Sequence, residues 1–371
     1  MAFADARLQQ AYKDAARQVK FSILRHPQRS MSEVLLGLSE RAKNVPEADY
    51  YGQGELIEGF EHDLATRFGK EAALFLPSGT MAQPLALRIH CDERHNNRVA
   101  LHPSSHLLLH EESGYRKLWQ LQKLQYGPAD RPARLSDCKA WPAQQRPAAM
   151  VYELPLRELG GALPSWQSLH EQAQWAKRHQ IALHIDGARI WQCAAAYQRS
   201  LADIAELADS LYVSFYKDIG GIAGAALLGD ADFIQKARVW ARRAGGNLYA
   251  FYPYVLAAQQ GMDDNLDAIS EAVSYTAVLA PALAEIEGIE LIPAEPQCAM
   301  FHIRIELPPS QLMTQVIAYA RQHDVLMLPM PRQHGANHCV FEISVGRNAL
   351  AQPVEFWQSH MRNLLQSSGL A

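Results

Sequence analysis

The sequence lacks a membrane span, a disulfide framework and a cationic block. Among its 371 residues no uninterrupted apolar run approaches the roughly 20 that a bilayer crossing needs. The opening MAFADARLQQAYKDAARQVK carries acids and no apolar core of a secretory leader, so a cytoplasmic protein is expected. Cysteine is scarce: Cys91, Cys138, Cys193, Cys298 and Cys339 are odd in number and scattered, with no CxxC pair. That excludes a disulfide scaffold, offers no thiol pair for zinc and suits reduced thiols. With 35 Lys and Arg against 39 Asp and Glu, formal net charge is −4, and nowhere do cations gather into a footprint for nucleic acid or an anionic membrane. Repeats and low-complexity segments are also missing. A small molecule or another subunit is left as the expected partner.

What is present is ordinary globular composition, 48% hydrophobic and 20% charged, with length for one large domain and a smaller one. Apolar runs EAALFLP, RVALHP, AAMVYELP, IALHIDGA, SLYVSFYK and GAALLGD are short and nearly continuous. Between them lie segments with helical spacing, among them GFEHDLATRFG, MAQPLALRIHC, SWQSLHEQAQWAKRHQ and ADFIQKARVWARRAGG. That alternation predicts an α/β fold with a mainly parallel sheet covered by helices on both faces. After about Asn265 the pattern becomes a long helix, a strand AMFHIRIEL, a helix SQLMTQVIAYARQHD, strands VLMLPM and HCVFEISVG and a last helix PVEFWQSHMRNLLQ. We expect a large domain over 45–262 and a small α/β domain built from 1–44 and 263–371.

Ligands of such sheets bind at the carboxyl ends of the strands, where LHIDGARIW places Asp186 and LYVSFYKDIGG places Lys217. A lysine there is either a snorkelling surface residue or a Schiff-base former whose amine is kept nucleophilic by desolvation and nearby cations. Asp186 is either a helix cap or the carboxylate that keeps a pyridoxal phosphate ring nitrogen protonated. In FLPSGTMAQPL, residues Ser78, Gly79 and Thr80 open a helix, as simple caps or as a cradle for a phosphate. HPSSHLLLHEESGY offers an imidazole that could stack on a cofactor ring, or zinc donors, since His102, His106 and His110 would align if the segment were helical.

The text YGQGELIEGFEHDLATRFGKEAALFLPSGTMAQPLAL, then HLLLHEESG, LHIDGARI and VSFYKDIGGIAGAALLGDADFIQKARVWARRAGG, resembles the threonine aldolase and β-eliminating lyase group of fold-type-I pyridoxal-phosphate enzymes, from about Tyr51 to Gly261. The resemblance implies pyridoxal 5'-phosphate as cofactor, anchored covalently by Lys217, with Asp186 on the ring nitrogen and Ser78, Gly79 and Thr80 on the phosphate. It implies that His106, followed by the acid Glu111, stacks on the ring near the substrate β-hydroxyl. Arg189 would lie beside the cofactor's phenolic oxygen and the substrate carboxylate. Arg242 would reach a phosphate across the interface of a homodimer or homotetramer. Three departures stand out: no Ser-Asp-Thr segment near the N-terminus, Tyr249 where the group carries an arginine, and Phe341 or Glu342 where a small-domain arginine usually meets the substrate carboxylate. Arg347 and Arg157, and after them Arg25 and Arg29, are the candidate replacements.

The implied reaction is cleavage of the Cα–Cβ bond of a β-hydroxy-α-amino acid to glycine, or an analogue, plus an aldehyde, with His106 as candidate base. β-Elimination to an α-keto acid and ammonia, with Lys217 taking the α-proton, is the alternative. A non-catalytic scaffold of the same fold is a third reading, and the retained Lys217 and Asp186 speak against it.

Overall fold

The computed structural model describes residues 5–368. The strands, in chain order, are β1 (Phe21–Ser22), β2 (Ala72–Leu76), β3 (Arg98–Leu101), β4 (Gln122–Gln125), β5 (Ala149–Glu153), β6 (Ala182–Gly187), β7 (Ser210–Ser214), β8 (Ala225–Gly229), β9 (Ile289–Ile292), β10 (Met300–Ile305), β11 (Val325–Leu326), β12 (Gln333–His334) and β13 (Cys339–Ser344). Contacts divide the chain into two compact units. Ser30–Glu158 and Leu163–Leu266 form the larger; residues up to Arg29, Leu159–Ala162 and residues from Asp267 form the smaller.

In the larger unit seven strands form one sheet in the order β2-β8-β7-β6-β5-β3-β4. The pairs β7–β6, β6–β5, β5–β3 and β3–β4 are parallel, and only β8 runs against its neighbours. Every residue of β5, β6, β7 and β8 is buried, as apolar strands require when helices cover both faces. On one side the helix Gly79–Glu93 packs Leu85 and Ile89 with Leu74, Tyr212, Leu227 and Phe233. Elsewhere in this unit Phe60, Phe75, Phe215 and Phe251 meet ring against ring. Strand β4, QKLQ, is polar and mostly exposed at the sheet edge, so no apolar run announced it.

The smaller unit carries an antiparallel sheet in the order β12-β13-β10-β9. Phe301, Phe341, Leu312, Trp357 and Met361 are fully buried in its core. Two expectations shift here. The long helix spans Tyr252–Ala284 and begins well before Asn265. VLMLPM is a strand only over Val325–Leu326, because its partner β1 is just two residues long.

Strand order turns back between β3 and β5: β4 extends outward from β3, whereas β5, β6 and β7 follow one another on its other side. Such a switch leaves a crevice at the carboxyl ends, between the loops that leave β3 and β5.

Candidate active site

Three neighbouring strands end in ionisable groups. Glu153 closes β5 and pairs in register with Asp186 on β6, which pairs with Tyr212 on β7; Lys217 follows three residues after β7. Asp186 is 2% exposed. Its Oδ1 accepts the Ala188 N–H at 3.1 Å, and Oδ2 has no hydrogen-bond partner among the described residues. The carboxylate therefore keeps one oxygen for a donor outside the chain.

Lys217 is half-buried, with its amine 5.9 Å from the centre of the Tyr216 ring. Its pKa lies below the ordinary lysine value, first because burial penalises the ammonium and then because Arg189 and Arg157 add positive potential; Asp186 and Glu153 pull the other way. The backbone just beyond turns on Gly220 and Gly224, whose φ angles of 78° and 102° a side chain would strain. Asp218, next to the lysine, is 3.6 Å from Arg189 Nε and accepts from Gln192 Nε2 at 2.8 Å. The buried guanidinium of Arg189 is thus held from the lysine's own loop.

Ser78 caps the helix Gly79–Glu93, its Oγ accepting the Met81 N–H at 3.3 Å. Gly79 is buried where a Cβ would collide with the Tyr212 hydroxyl, and Thr80 is exposed. The first N–H groups of this helix have no intrahelical partner and can meet an anion.

His106 opens a helix of four residues, His106–Leu109, so His102 lies outside it and the helical alignment of His102, His106 and His110 is not found. His102 is buried instead, within 2.6 Å of Ser104 Oγ and 3.0 Å of the Arg131 carbonyl. His106 Nδ1 is 3.2 Å from Glu111 Oε1. A carboxylate there places the imidazole proton on Nδ1 and leaves Nε2 as acceptor. Glu111 is 2% exposed at its side chain, and its Oε2 finds no partner among the described residues. The His110 ring lies 5.1 Å from that of His106 and is tied to Glu158 Oε1 at 2.7 Å.

The arginines separate. Arg157, half-buried, begins the turn after β5 and contributes to the potential at Lys217. Arg242 is exposed in the last turn of the helix Ala231–Arg243. In the smaller unit, Arg347 is exposed at the start of the short helix Arg347–Leu350. There too, of the two residues at the expected arginine's place, Phe341 is buried in the core and Glu342 is gripped by Arg332 Nη1 at 2.5 Å and Arg25 Nη2 at 3.5 Å. Tyr249 is 62% exposed and packs its ring on Tyr50 and Tyr51.

Two site residues escaped the sequence reading. Glu153 ends β5 as Asp186 lies at the tip of β6, but Leu154, Pro155 and Leu156 prolong the apolar stretch and mask that signal; Asp218 had only its adjacency to Lys217. Together these groups suit pyridoxal phosphate: an amine whose pKa burial lowers, a buried carboxyl with an open oxygen, an oriented imidazole and a helix N-terminus whose glycine lets backbone approach.

The family model for beta-eliminating lyases matches residues 38–306. Low-specificity L-threonine aldolase 1 of Arabidopsis thaliana is 27% identical over 266 residues, 70% of this chain and 74% of its own. The low specificity L-threonine aldolase of Escherichia coli K12 is 26% identical over 84% of this chain and 91% of its own. Among solved structures, a candidate L-allo-threonine aldolase from Listeria monocytogenes EGD-E superimposes with a TM-score of 0.90 at 34% identity, covering 97% of this chain and 99% of its own. The expected fold-type-I architecture is the one found.

Proposed function

The chain belongs to the beta-eliminating lyase family, with pyridoxal 5'-phosphate as its cofactor, and from that premise we propose an aldolase that cleaves the Cα–Cβ bond of a threonine-like β-hydroxy-α-amino acid to glycine, or an analogue, and an aldehyde. The observation that carries this reading is the His106–Glu111 pair, which leaves Nε2 free to take the proton of a substrate β-hydroxyl. When bound, the cofactor supplies the electron sink for the bond that breaks. Lys217 is the amine that anchors it, and the carboxylate of Asp186 keeps a proton at its ring nitrogen. Ser78, Gly79 and Thr80 hold the phosphate at the helix N-terminus. Arg157 and Arg189 orient the substrate carboxylate, with Arg347 as the alternative. The lobe expected over 45–262 is the cofactor-bearing part, and 1–44 with 263–371 make up the small domain. Arg242 completes the phosphate site of a second copy in a homodimer or homotetramer.

The second reading is β-elimination, in which Lys217, half-buried in the segment after β7 and with a pKa lowered by burial, takes the α-proton. The test separates the two by product. Purified holoenzyme is given a panel of β-hydroxy amino acids, and aldehyde is measured against ammonia. Aldehyde and glycine in equal amounts support the aldolase; ammonia and α-keto acid without aldehyde overturn it.

A further inference from the structure

The proposed reaction leaves the buried acid beside Asp186 without a role. Glu153 is 9% exposed, ends β5 and lies beside Asp186 in register. Both of its oxygens are used, and both by backbone: Oε2 accepts the His106 N–H at 3.2 Å and Oε1 the Arg157 N–H at 3.0 Å. One side chain therefore ties down the loops on the two sides of the strand-order switch, one bearing the imidazole and the other the guanidinium. A carboxylate is the only group of this length that can accept at both ends.

The surroundings of Glu153 are as specific. Asp186 faces it from β6, His106 from its short helix, Arg157 from the turn after β5 and Lys217 from the segment after β7. Burial first and Asp186 second push its carboxyl up to about 7, while the two N–H donors and His106 pull it down. In its charged form Glu153 favours the ammonium of Lys217.

We propose that Glu153 is a positioning residue: it fixes the backbone of His106 and of Arg157 together, and its carboxylate, in register with Asp186 at the strand tips that Lys217 follows, sets the charge around the Lys217 nitrogen. The positioning half rests on His106 and Arg157 acting as proposed above; the charge half does not.

Two variants of the holoenzyme separate the halves. Glu153→Gln removes the charge and can accept only one of the two N–H groups, because its amide nitrogen is itself a donor. Glu153→Asp keeps the charge and draws the carboxylate back by one methylene. The pH midpoint of the absorbance of the lysine-bound cofactor should fall by at least about half a unit in Glu153→Gln and stay near wild type in Glu153→Asp. KM for the best β-hydroxy amino acid should rise on the order of tenfold in both, as expected when positioned groups move by a fraction of an ångström. An unchanged midpoint in Glu153→Gln overturns the charge role, and an unchanged KM in both variants overturns the positioning role. If wild type cleaves no β-hydroxy amino acid, the aldolase reading fails while the absorbance midpoint still decides the charge role. Should Glu153→Gln not fold with cofactor, Glu153→Asp decides: a raised KM at constant midpoint supports the proposal, and wild-type KM overturns it.

Discussion

Two groups of buried acids in this molecule invite comparison. Glu342, in the middle of β13, is matched: Arg332 and Arg25 both reach it, and its side chain is 8% exposed. Asp186 and Glu153, at the tips of β6 and β5, are buried too but form no ion pair within 4.0 Å among the described residues. The first arrangement is how a fold neutralises an acid it must bury. The second leaves acids with only backbone N–H partners, which costs stability unless something outside the chain completes them. Charge left uncompensated on rigid strand tips marks the working site, and charge compensated within a sheet marks structure.

The largest effect should come from breaking the uncompensated side. Lys217→Ala should abolish the absorbance of lysine-bound cofactor together with turnover, and a borohydride-reducible cofactor adduct persisting in that variant would show that another lysine is the anchor. Asp186→Asn should keep the fold, since an amide is nearly isosteric, yet lose about a thousandfold or more in kcat because it cannot hold a proton at the ring nitrogen. Thermal unfolding of the apo form should show Asp186→Asn at least as stable as wild type. A clear drop in Tm would mean that Asp186 is satisfied within the chain after all, and the contrast with Glu342 would collapse.

Much of this was legible in the sequence because the site uses strands. A parallel strand buried on both faces is an apolar run, and a charge that ends the run must lie at its tip; that logic located Asp186 and Lys217. Glu153 obeys the same rule and was overlooked because LeuProLeu follows it, so the acid reads as an interruption in an apolar stretch rather than its end. Strand β4 was invisible for the opposite reason, having too little apolar character. The clasp on Glu342 could not be read at all: Arg25 is 317 residues away in sequence, and nothing local pairs them.

Breaking the compensated side should cost stability and spare chemistry. Glu342→Gln leaves Arg332, 10% exposed at its side chain, facing a neutral amide. Removing one partner of a buried pair costs about 3–5 kcal/mol, so a pronounced fall in the denaturation midpoint is expected, with kcat of the remaining folded enzyme close to wild type. Loss of kcat at unchanged stability would instead put Glu342 in the chemistry and Arg332 with it.

pH provides a gentler probe of the same contrast. The folded-state pKa of Glu153 is raised to about 7, above its unfolded value, so its favourable contribution to stability is present at low pH and is lost as pH rises through about 7. Glu153→Gln removes that dependence. The Tm of the variant minus that of wild type should therefore increase between about pH 5 and about pH 8, whatever its absolute sign. A constant difference across that range would mean that Glu153 titrates where an ordinary glutamate does and is not an uncompensated acid.

The smallest effect concerns which arginine meets the substrate, and it sharpens the comparison because one candidate lies in each unit. A carboxylate in a closed site needs a cationic partner, and a charge-assisted contact of that kind is worth about 1.5–3 kcal/mol, or roughly ten- to a hundredfold in KM. Sequence position favoured Arg347, a few residues beyond the missing arginine. The electrostatics favour Arg157, which contributes to the potential at the Lys217 amine, whereas Arg347 is exposed at the start of its helix. Arg157→Ala should therefore raise KM by that factor. Because Arg157 lowers the pKa of Lys217, its loss should also move the absorbance midpoint of the lysine-bound cofactor upward. Arg347→Ala should change KM by less than about twofold and leave the midpoint alone. If the two variants behave the other way round, Arg347 is the clamp, and Arg157 shapes the lysine's surroundings only.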